Sequence, residues 1–395
     1  MTSSTKVGSG LSAGASGSKC ATEATRIARD RLGGQAPSFG FLFASPDLPL
    51  DECLRAARAA AGVQLIGCTT AGEFTEEGLI HGGVSVLLVS GPGLQYASAA
   101  APGLRANPRG LARTLAASFT GIDARARAQG FVCTTSVALV DGLSGTGETF
   151  VDELVSQTRA LHQVVGGASG DEGRFVRTSV GDAELATSDV AAVMHVFSRT
   201  PWGVGIGHGL GPTTKNLMVN KAKDNVVYEI DKKPAFEVYR EHAKKRGIDL
   251  SPKTAGEYLI GNELGIIIGK EVSRARAPLS VGADGSLTCA ASVPQGSFVT
   301  ILDGNPDQMI SAARSAATEA LANLQGAKPA GVLLFDCVCR GMILKDRFRE
   351  EIGAIRDVVG NVPVAGFLTY GEIASYSGRL EQWHNTTAVA LVIPA

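Results

Sequence analysis

Polar residues near the end of the chain have the types and spacing that a binding site for a small charged molecule needs. One strand-like run ends in "FDCVCRG", and another continues into "TYGE" and, further on, "HN". An arginine holds a carboxylate through two parallel hydrogen bonds, and an acidic side chain holds an amine. We therefore predict a pocket for an amino-acid-like metabolite. The predicted ligand-binding residues here are Asp336, Cys337, Arg340, Thr369, Tyr370, Gly371, Glu372, His384 and Asn385.

Two of these residues also have structural interpretations. Arg340 could instead form an ion pair with Asp336 or Glu372 inside the protein, and the sequence does not decide between the two roles. For His384, a loop histidine hydrogen-bonded to backbone is a stronger interpretation than a ligand-binding one.

The same cluster contains the groups of a nucleophilic enzyme. Cys337, His384 and Glu372 could serve as nucleophile, base and orienting group of a small-molecule hydrolase or lyase. Reactivity requires a lowered thiol pKa, and the sequence offers only a nearby arginine to lower it. The chain contains no H-E-x-x-H or Walker lysine motif. An enzyme therefore remains an alternative to the binding protein that we predict first.

A short motif around these residues occurs three times. "VQLIGCTTAGEF" (63–74) and "VPVAGFLTYGEI" (362–373) share two glycines, a threonine and a glutamate at equal spacing, and "HQVVGGASGDEG" (162–173) keeps part of the pattern. Glycines permit positive φ and close backbone approach, which suits a loop that cradles a polar group. Thr70 and Glu73 are therefore added to the predicted ligand-binding residues. The alternative is a plain turn whose glutamate caps a neighbouring loop.

The elements around each motif also repeat in one order: helix, strand, helix, strand, Gly-rich turn and strand. The three copies extend over residues 18–90, 108–198 and 306–393, and each ends in an apolar run such as "GGVSVLLVS". The predicted fold class is α/β, with sheets covered by helices.

Residues 199–300 interrupt this pattern with strand-like runs separated by turns. We therefore predict two domains with a boundary near residue 218. Residues 1–218 contain two copies, and residues 219–395 contain one copy and an insertion. Asn107 and Asn305 are each followed by proline, which predicts the N-caps of two helices.

Composition is that of a globular protein with a nearly neutral overall charge. The 395 residues are 44% hydrophobic and 19% charged, with a formal net charge of -1. This balance argues against nucleic acid and anionic membranes as main partners. The first residues are polar, no apolar run reaches the length of a bilayer span, and seven scattered cysteines are typical of reduced thiols. We expect a cytoplasmic protein.

The order of the motifs resembles that of a known family. "GCTTAGEF", "VVYEIDKKPAFEVY", "LLFDCVCRG" and "AGFLTYGEI…HNTTAVALVI" together resemble the FIST proteins from Phe39 to Ile393, in both their N-terminal and C-terminal domains. The resemblance implies a sensory module of bacterial signal transduction that binds a small ligand such as an amino acid. Some similar proteins sense nitric oxide through haem and regulate a histidine kinase. A small-molecule ligand and a separate histidine kinase are thus the implied partners, and assembly into a homo-oligomer is left open.

Haem b is the cofactor that the resemblance implies for the nitric-oxide-sensing alternative. The iron needs an axial ligand, and His208 in "GVGIGHGLGP" is the predicted one, because glycines on both sides leave room for a flat macrocycle. His195 in "AAVMHVF" is better explained as a histidine packed in a sheet. The chain has no C-x-x-C-H motif, so attachment would not be covalent.

Overall fold

The computed structural model of the protein describes residues 4–91, 93–158, 161–269, 271–376 and 382–395. Within them the chain forms three six-stranded sheets and one nine-stranded sheet, with helices packed against them. The prediction of an α/β fold is confirmed. None of the described helices has an apolar stretch long enough to cross a membrane.

The first part of the chain alternates strands and helices. Small and branched apolar residues cover one side of each helix and pack against the sheet. In chain order the elements are β1 (Lys6–Ala13), α1 (Gly17–Arg31), β2 (Phe39–Ala44), α2 (Leu50–Ala61), β3 (Leu65–Thr69), β4 (Glu73–Thr75), β5 (Gly78–Ile80) and β6 (Gly83–Ser90).

The second part follows the same plan, with one additional helix. The side chain of Asn107 accepts a hydrogen bond from the Gly110 N–H (2.9 Å), which confirms the predicted N-cap. The elements are β7 (Gln95–Pro102), α3 (Pro108–Ala117), α4 (Thr120–Ala128), β8 (Cys133–Val140), α5 (Gly147–Gln157), β9 (Gln163–Ala168), β10 (Val180–Asp182), β11 (Ala186–Thr187), β12 (Val190–Ser198) and β13 (Gly203–Gly207).

The nine-stranded sheet follows, mostly as short antiparallel strands with two helices. Residue 218, the predicted domain boundary, lies in its second strand. The elements are β14 (Gly211–Pro212), β15 (Leu217–Lys223), β16 (Val226–Ile230), β17 (Lys233–Pro234), α6 (Ala235–Lys245), α7 (Ala255–Gly261), β18 (Asn262–Ile268), β19 (Glu271–Arg276), β20 (Pro278–Val281), β21 (Leu287–Cys289) and β22 (Phe298–Asp303).

The last part returns to the alternating plan. Asn305 and Gln308 form a reciprocal capping box, which confirms the second predicted N-cap. The elements are α8 (Pro306–Asn323), β23 (Pro329–Cys337), α9 (Val338–Leu344), α10 (Phe348–Val359), β24 (Val364–Thr369), β25 (Glu372–Ser375), β26 (Trp383–His384) and β27 (Ala388–Pro394).

The three six-stranded sheets have one strand order. They run β1-β6-β2-β3-β10-β11, β7-β12-β8-β9-β25-β26 and β13-β27-β23-β24-β4-β5. In each, the third and fourth strands are parallel neighbours. The last two strands of each sheet come from a different part of the chain than the middle strands. β4–β5 completes the third sheet, β10–β11 the first and β25–β26 the second, so the hairpins are exchanged in a cycle.

The inner faces of the three sheets share one apolar core. Phe43 of the first sheet stacks on Phe367 of the third (ring centroids 4.6 Å apart), and Val137 and Leu139 of the second sheet belong to the same cluster. Helices cover the outer faces: α1 and α2 on the first sheet, α3 and α5 on the second, α8 and α10 on the third. Both faces of the sheets are thus covered, and we expect polar and ligand-binding groups at the carboxyl ends of the parallel strands.

The sequence pattern did not predict β1 and β13, because glycines weaken the strand signal in both. The structure shows the reason for the glycines. A Cβ at Gly8 would lie 2.0 Å from the Ala28 carbonyl oxygen of α1, and one at Gly205 would lie 2.0 Å from the Ala316 carbonyl oxygen of α8. Only a strand without side chains at these positions lets the helix pack so closely.

Candidate functional site

Most of the residues predicted near the end of the chain meet at the carboxyl ends of β23 and β24. These strands are parallel neighbours with Cys337 opposite Thr369, and β27 runs antiparallel beside β23, so the segment before β27 reaches the same edge. The structure therefore brings these residues together, but inside the protein. At most 3% of the surface of each of these predicted residues is exposed: Asp336, Cys337, Arg340, Thr369, Glu372, His384 and Asn385.

Glu372 connects the Gly-rich turn to the last strand. The Thr369 hydroxyl donates to Oε1 of Glu372 (2.5 Å), and the Thr387 backbone N–H donates to Oε2 (3.1 Å). Burial, followed by the nearby Cys337 thiol, raises the pKa of Glu372 well above its usual value. This geometry is that of a buried loop cap.

Two other carboxyl groups accept a backbone N–H at or just before β6 and β12, the strands that correspond to β27 in the other two sheets. The Thr70 hydroxyl donates to Oε1 of Glu73, and Oε2 accepts the backbone N–H that begins β6 (3.3 Å). Burial raises the pKa of Glu73 to about 8. In the second sheet Asp141 accepts from the Thr178 hydroxyl and from the backbone N–H before β12 (2.5 Å). Thr70 and Glu73 thus form a cap of their own, and Glu73 lies on β4, the strand that pairs with β24.

The three Gly-rich turns hydrogen-bond to one another where the hairpins cross between sheets. Close contact requires glycine there: a Cβ at Gly371 would lie 2.6 Å from the Trp383 ring. The turns therefore form a backbone junction at the centre of the three sheets. Its bonds, donor N–H first, include Ala71 to Leu368 (2.9 Å), Gly170 to Thr69 (2.9 Å) and Tyr370 to Ala168 (3.1 Å).

Arg340 directs its donors at groups inside the protein. Its Nε lies 2.9 Å from Oδ1 of Asp336, and its Nη2 lies 2.6 Å from Oε1 of Glu351; all three side chains are fully buried. Nη1 and Nη2 also donate to the carbonyl oxygens of His208 (2.8 Å) and Met309 (3.0 Å). These are the contacts of a structural ion pair. The second carboxylate partner of Arg340 is Glu351 and not Glu372, which the sequence had suggested.

Asp336 and Glu351 share this one arginine. Burial, followed by the negative charge of Glu351, raises the pKa of Asp336 well above its usual value, although Arg340 acts in the opposite direction. Two adjacent buried carboxyl groups cannot both ionise cheaply, so the protonated form of Asp336 is favoured.

The Cys337 thiol is 2% exposed and lies next to Glu372 and Cys339. Burial, followed by Cys339, raises the pKa of the thiol well above its usual value. A protonated buried thiol is a poor nucleophile, so this setting does not activate Cys337 for catalysis. Nε2 of His384 lies 3.4 Å from the Ala374 carbonyl oxygen, a backbone contact of the kind expected of a loop histidine.

Glu263, which was not predicted, joins the cluster from β18 of the nine-stranded sheet. The Thr386 hydroxyl donates to Oε1 of Glu263, whereas Oε2 has no hydrogen-bond partner among the described residues. Oδ1 of Asn385 likewise lacks a partner in the described part of the chain. Glu263 and Asn385 are each 1% exposed. Two buried oxygen atoms at the contact of the two sheets thus have no hydrogen-bond partner among the described residues.

The backbone between these groups is strained. Thr386 has a φ of 53°, a left-handed conformation that is rare for a β-branched residue and costs on the order of 1–3 kcal/mol. Burial raises the pKa of Glu263 to about 8. A charged residue inside the apolar run "ELGIII" is the sequence signal that could have identified Glu263.

Tyr370 points away from the cluster at β23. Its hydroxyl donates to Oδ1 of Asp171 and accepts the Gly173 N–H (2.8 Å), and its ring stacks on Phe175 (centroids 4.8 Å apart). The structure thus places this predicted residue beside the loop that follows β9.

The surroundings of His208 do not fit haem. A Cβ at Gly207 would lie 2.4 Å from the Ala312 carbonyl oxygen, and one at Gly209 would lie 2.6 Å from that of Gln308. The glycines therefore make room for α8, not for a macrocycle. Nδ1 of His208 accepts the Leu210 N–H (3.0 Å). Among the described residues, no three His, Cys, Asp or Glu side chains are arranged to hold a metal ion.

The fold is that of a two-domain α/β protein, in which a body of three six-stranded sheets contacts a smaller domain built on the antiparallel nine-stranded sheet. The profile of the FIST N domain matches residues 38–233, and that of the FIST C domain matches residues 235–375. The chain therefore belongs to the FIST family, as the order of its motifs predicted. FIST domains are sensory domains of signal-transduction proteins.

Relatives extend over the whole chain. An uncharacterized protein of Mycobacterium tuberculosis (strain H37Rv) is 24% identical over 411 residues, which cover 98% of this chain and 100% of that protein. An uncharacterized protein of Mycobacterium bovis is 24% identical over 410 residues, covering 98% and 99%. Among solved structures, Thermotoga maritima PurL complexed with FGAR is 12% identical with a TM-score of 0.23, covering 98% of this chain and 73% of that one. A likeness this low supports no argument about function.

Proposed function

We propose that this FIST protein is a sensory module of bacterial signal transduction that binds the amine of a small, amino-acid-like metabolite at the carboxyl ends of β23 and β24. One observation carries the proposal: Oε2 of Glu263 and Oδ1 of Asn385 are buried acceptors without partners in the described structure. Leaving such a group unsatisfied costs roughly 1–3 kcal/mol. An amine that donates to both would recover this cost.

The charge of Glu263 favours the same ligand class. With a pKa of about 8, the carboxyl group is largely protonated at neutral pH in the free protein. An ammonium group beside it stabilises the carboxylate, because an opposite charge favours the ionised form. Binding of an ammonium ligand would therefore release a proton from Glu263.

Arg340 does not support the predicted hold on a ligand carboxylate, since its contacts are to Asp336, Glu351 and two backbone carbonyls. We therefore propose that the protein holds the ligand by its amine and that the residues around Glu263 and Asn385 contact the rest of the ligand.

The position of the site suggests how binding becomes a signal. Glu263 belongs to the nine-stranded sheet, whereas Asn385 and Thr386 precede the last strand of the third sheet. A ligand that contacts both would tighten one domain against the other. We propose that a separate histidine kinase reads this change, and that both proteins act in the cytoplasm. The seven cysteines, all free thiols here, are compatible with that compartment.

We also infer that the three six-stranded sheets are three copies of one helix-strand-helix-strand-turn-strand unit. The support is their common strand order and the carboxyl groups of Glu73, Asp141 and Glu372, which accept a backbone N–H at or just before β6, β12 and β27 in turn.

The test uses calorimetry and thermal shift on the full chain with matched ligands: amino acids, the amines obtained by removing their carboxyl groups, and the acids obtained by removing their amino groups. We expect amino acids and amines to stabilise the protein in a way that depends on Glu263, and the acids to show no effect that depends on Glu263. Glu263→Gln should weaken binding at least tenfold, because a charged hydrogen bond is lost. Glu257→Gln, on the exposed side of α7, is the matched control.

Proton release gives an independent measurement. The observed binding enthalpy of an amine at pH 7 should change with the ionisation enthalpy of the buffer in the wild type, and this dependence should be lost in Glu263→Gln. If no amine binds, or if Glu263→Gln binds like the wild type, the proposed site is wrong.

The visible spectrum of the purified protein tests the haem-based alternative. A Soret band with one haem per chain that His208→Ala removes would favour that alternative. The hydrolase or lyase alternative requires a reactive Cys337, which thiol labelling measures directly.

A further inference from the structure

A second place in the molecule has the properties of a ligand site and lies outside the junction described above. A cleft of about 450 Å³ opens at the carboxyl ends of β2 and β3 in the first sheet. Residues 46–51, between β2 and α2, form one wall, and residues 171–179, between β9 and β10, form the other. Carboxyl ends of parallel strands are where ligands of α/β proteins bind.

Among the described residues, every charged side chain that lines this cleft except Arg177 has a hydrogen-bond or ion-pair partner. Arg174 forms a two-pronged contact with Asp47 (2.5 and 2.8 Å) and reaches Glu172 (2.8 Å), and Asp51 pairs with Arg55 (2.7 Å). The guanidinium group of Arg177 has neither a hydrogen-bond nor an ion-pair partner among the described residues. An arginine left open at the edge of a cavity favours an anion, and a planar carboxylate matches its geometry best.

The loop that presents Arg177 is fixed in shape. The Asp171 carboxylate accepts the backbone N–H groups of Phe175 (2.9 Å), Val176 (2.7 Å) and Arg177 (2.9 Å), and also the Tyr370 hydroxyl. Phe175 has a φ of 53°, a conformation that a loop keeps only when its surroundings enforce it. Little ordering is therefore needed when a ligand binds, which favours affinity.

The remaining lining is largely apolar. Leu48, Pro49 and Leu50 lie on one wall, and Val176, which is 81% exposed, lies on the other. The charged lining residues are three aspartates and two arginines, which disfavours a doubly charged anion such as phosphate. Within the part of the chain that the structure describes, the cleft thus combines the unpaired guanidinium group of Arg177 with apolar walls.

We propose that this cleft is a second binding site, which takes a monocarboxylate with an apolar body and pairs its carboxylate with Arg177. The proposal is independent of the amine site at Glu263 and Asn385, because the two sites share no residue and take ligands of opposite charge.

The test measures calorimetric binding of benzoate and hexanoate to the full chain, with benzyl alcohol and inorganic phosphate as comparison probes. We expect both carboxylates to bind saturably and the alcohol and phosphate to bind at least tenfold more weakly. Arg177→Gln should weaken benzoate binding tenfold or more, whereas Arg349→Gln, on exposed α10, should leave it unchanged. Val176→Asp should also weaken it, and both cleft substitutions are at exposed positions that do not endanger folding.

Either of two results would overturn this assignment: no saturable benzoate binding, or binding that Arg177→Gln leaves unchanged. Equal binding of benzyl alcohol would do the same, since the charge would then have no role. Amine ligands report on the other site, so failure of one proposal is distinguishable from failure of the other.

Discussion

Nη2 of Arg276 donates to Oε1 of Glu148 across 3.0 Å, and this ion pair fastens the nine-stranded sheet to helix α5 beside the second sheet. Arg276 is fully buried and also donates to the carbonyl oxygens of Ser292 (2.9 Å) and Trp383 (3.1 Å). Glu148 in turn accepts the Ser292 N–H (3.2 Å). This contact between the domains thus combines a buried charge pair with backbone hydrogen bonds, and Arg274 adds a second, longer contact to Glu148 (3.9 Å).

Removing Glu148 should therefore destabilise the protein strongly. Glu148→Ala leaves the buried charge of Arg276 without a partner, and we expect a loss of about 3 kcal/mol in the free energy of unfolding, measured by urea denaturation. The control is Glu237→Ala, which removes an exposed pair with Arg240 and should change stability little. Equal effects of the two substitutions would contradict the role of the pair.

Replacement of Glu372 by glutamine should be tolerated, whereas replacement by alanine should destabilise the protein. Because burial raises the pKa of Glu372 well above its usual value, its neutral form is favoured, and Glu372→Gln keeps that charge state, the size and most hydrogen bonds. Glu372→Ala leaves the Thr369 hydroxyl and the Thr387 N–H buried and unpaired, which should cost roughly 2–4 kcal/mol. Urea midpoints measure both variants. A strongly destabilised Glu372→Gln would mean that the carboxylate is ionised.

Glu73 should make the protein less stable as the pH rises. Its pKa is raised by burial to about 8 in the folded state, against 4.5 in the unfolded chain, so the folded state binds more protons between these values. The stabilising contribution is complete below about pH 4.5 and is lost as the pH rises through 8.

Glu73→Gln does not titrate and should show a shallower fall in unfolding free energy between pH 5 and pH 9. The difference from the wild type should be up to a few kcal/mol at the alkaline end. Unfolding free energies at pH 5, 7 and 9 measure it. Parallel pH profiles for the two proteins would show that the carboxyl group is ionised throughout.

Arg340 should behave as a structural residue. We expect Arg340→Lys to lower the free energy of unfolding by about 3 kcal/mol, because a lysine cannot reproduce contacts with Asp336, Glu351 and two carbonyls. Arg314→Lys, in an exposed pair with Asp357, is the control. If Arg340→Lys kept full stability and lost only ligand binding, the ligand-binding interpretation would be restored.

Cys337 should be protected from thiol reagents in the folded protein. Its burial and raised pKa disfavour the thiolate, whereas Cys133 is partly exposed. Mass-spectrometric mapping after brief iodoacetamide treatment should find Cys133 labelled first and Cys337 labelled only after unfolding. Rapid native labelling of Cys337 would instead favour the enzyme alternative.

Local features were predictable from the sequence, and long-range partners were not. The N-caps at Asn107 and Asn305 depend on three or four consecutive residues, so their signals are contained in the motif itself. Arg340 pairs with Glu351 because α9 and α10 both pack against α8, and no spacing rule selects that glutamate over Glu372. Glu263 lies 123 residues before its partner Thr386. Its place in the candidate site follows only from packing of one domain on the other.

The cyclic exchange of hairpins fixes when each sheet can be completed during synthesis. The first sheet can be completed once β10 and β11 have been synthesised, but the second sheet waits for β25 and β26, which lie near the C-terminus. The third sheet includes β4 and β5, which are synthesised early and stay unpaired with that sheet until β23, β24 and β27 have been synthesised. Such non-local pairing slows folding and exposes unpaired edges in the meantime. A nascent chain of this protein therefore reaches its final form only when translation is almost finished.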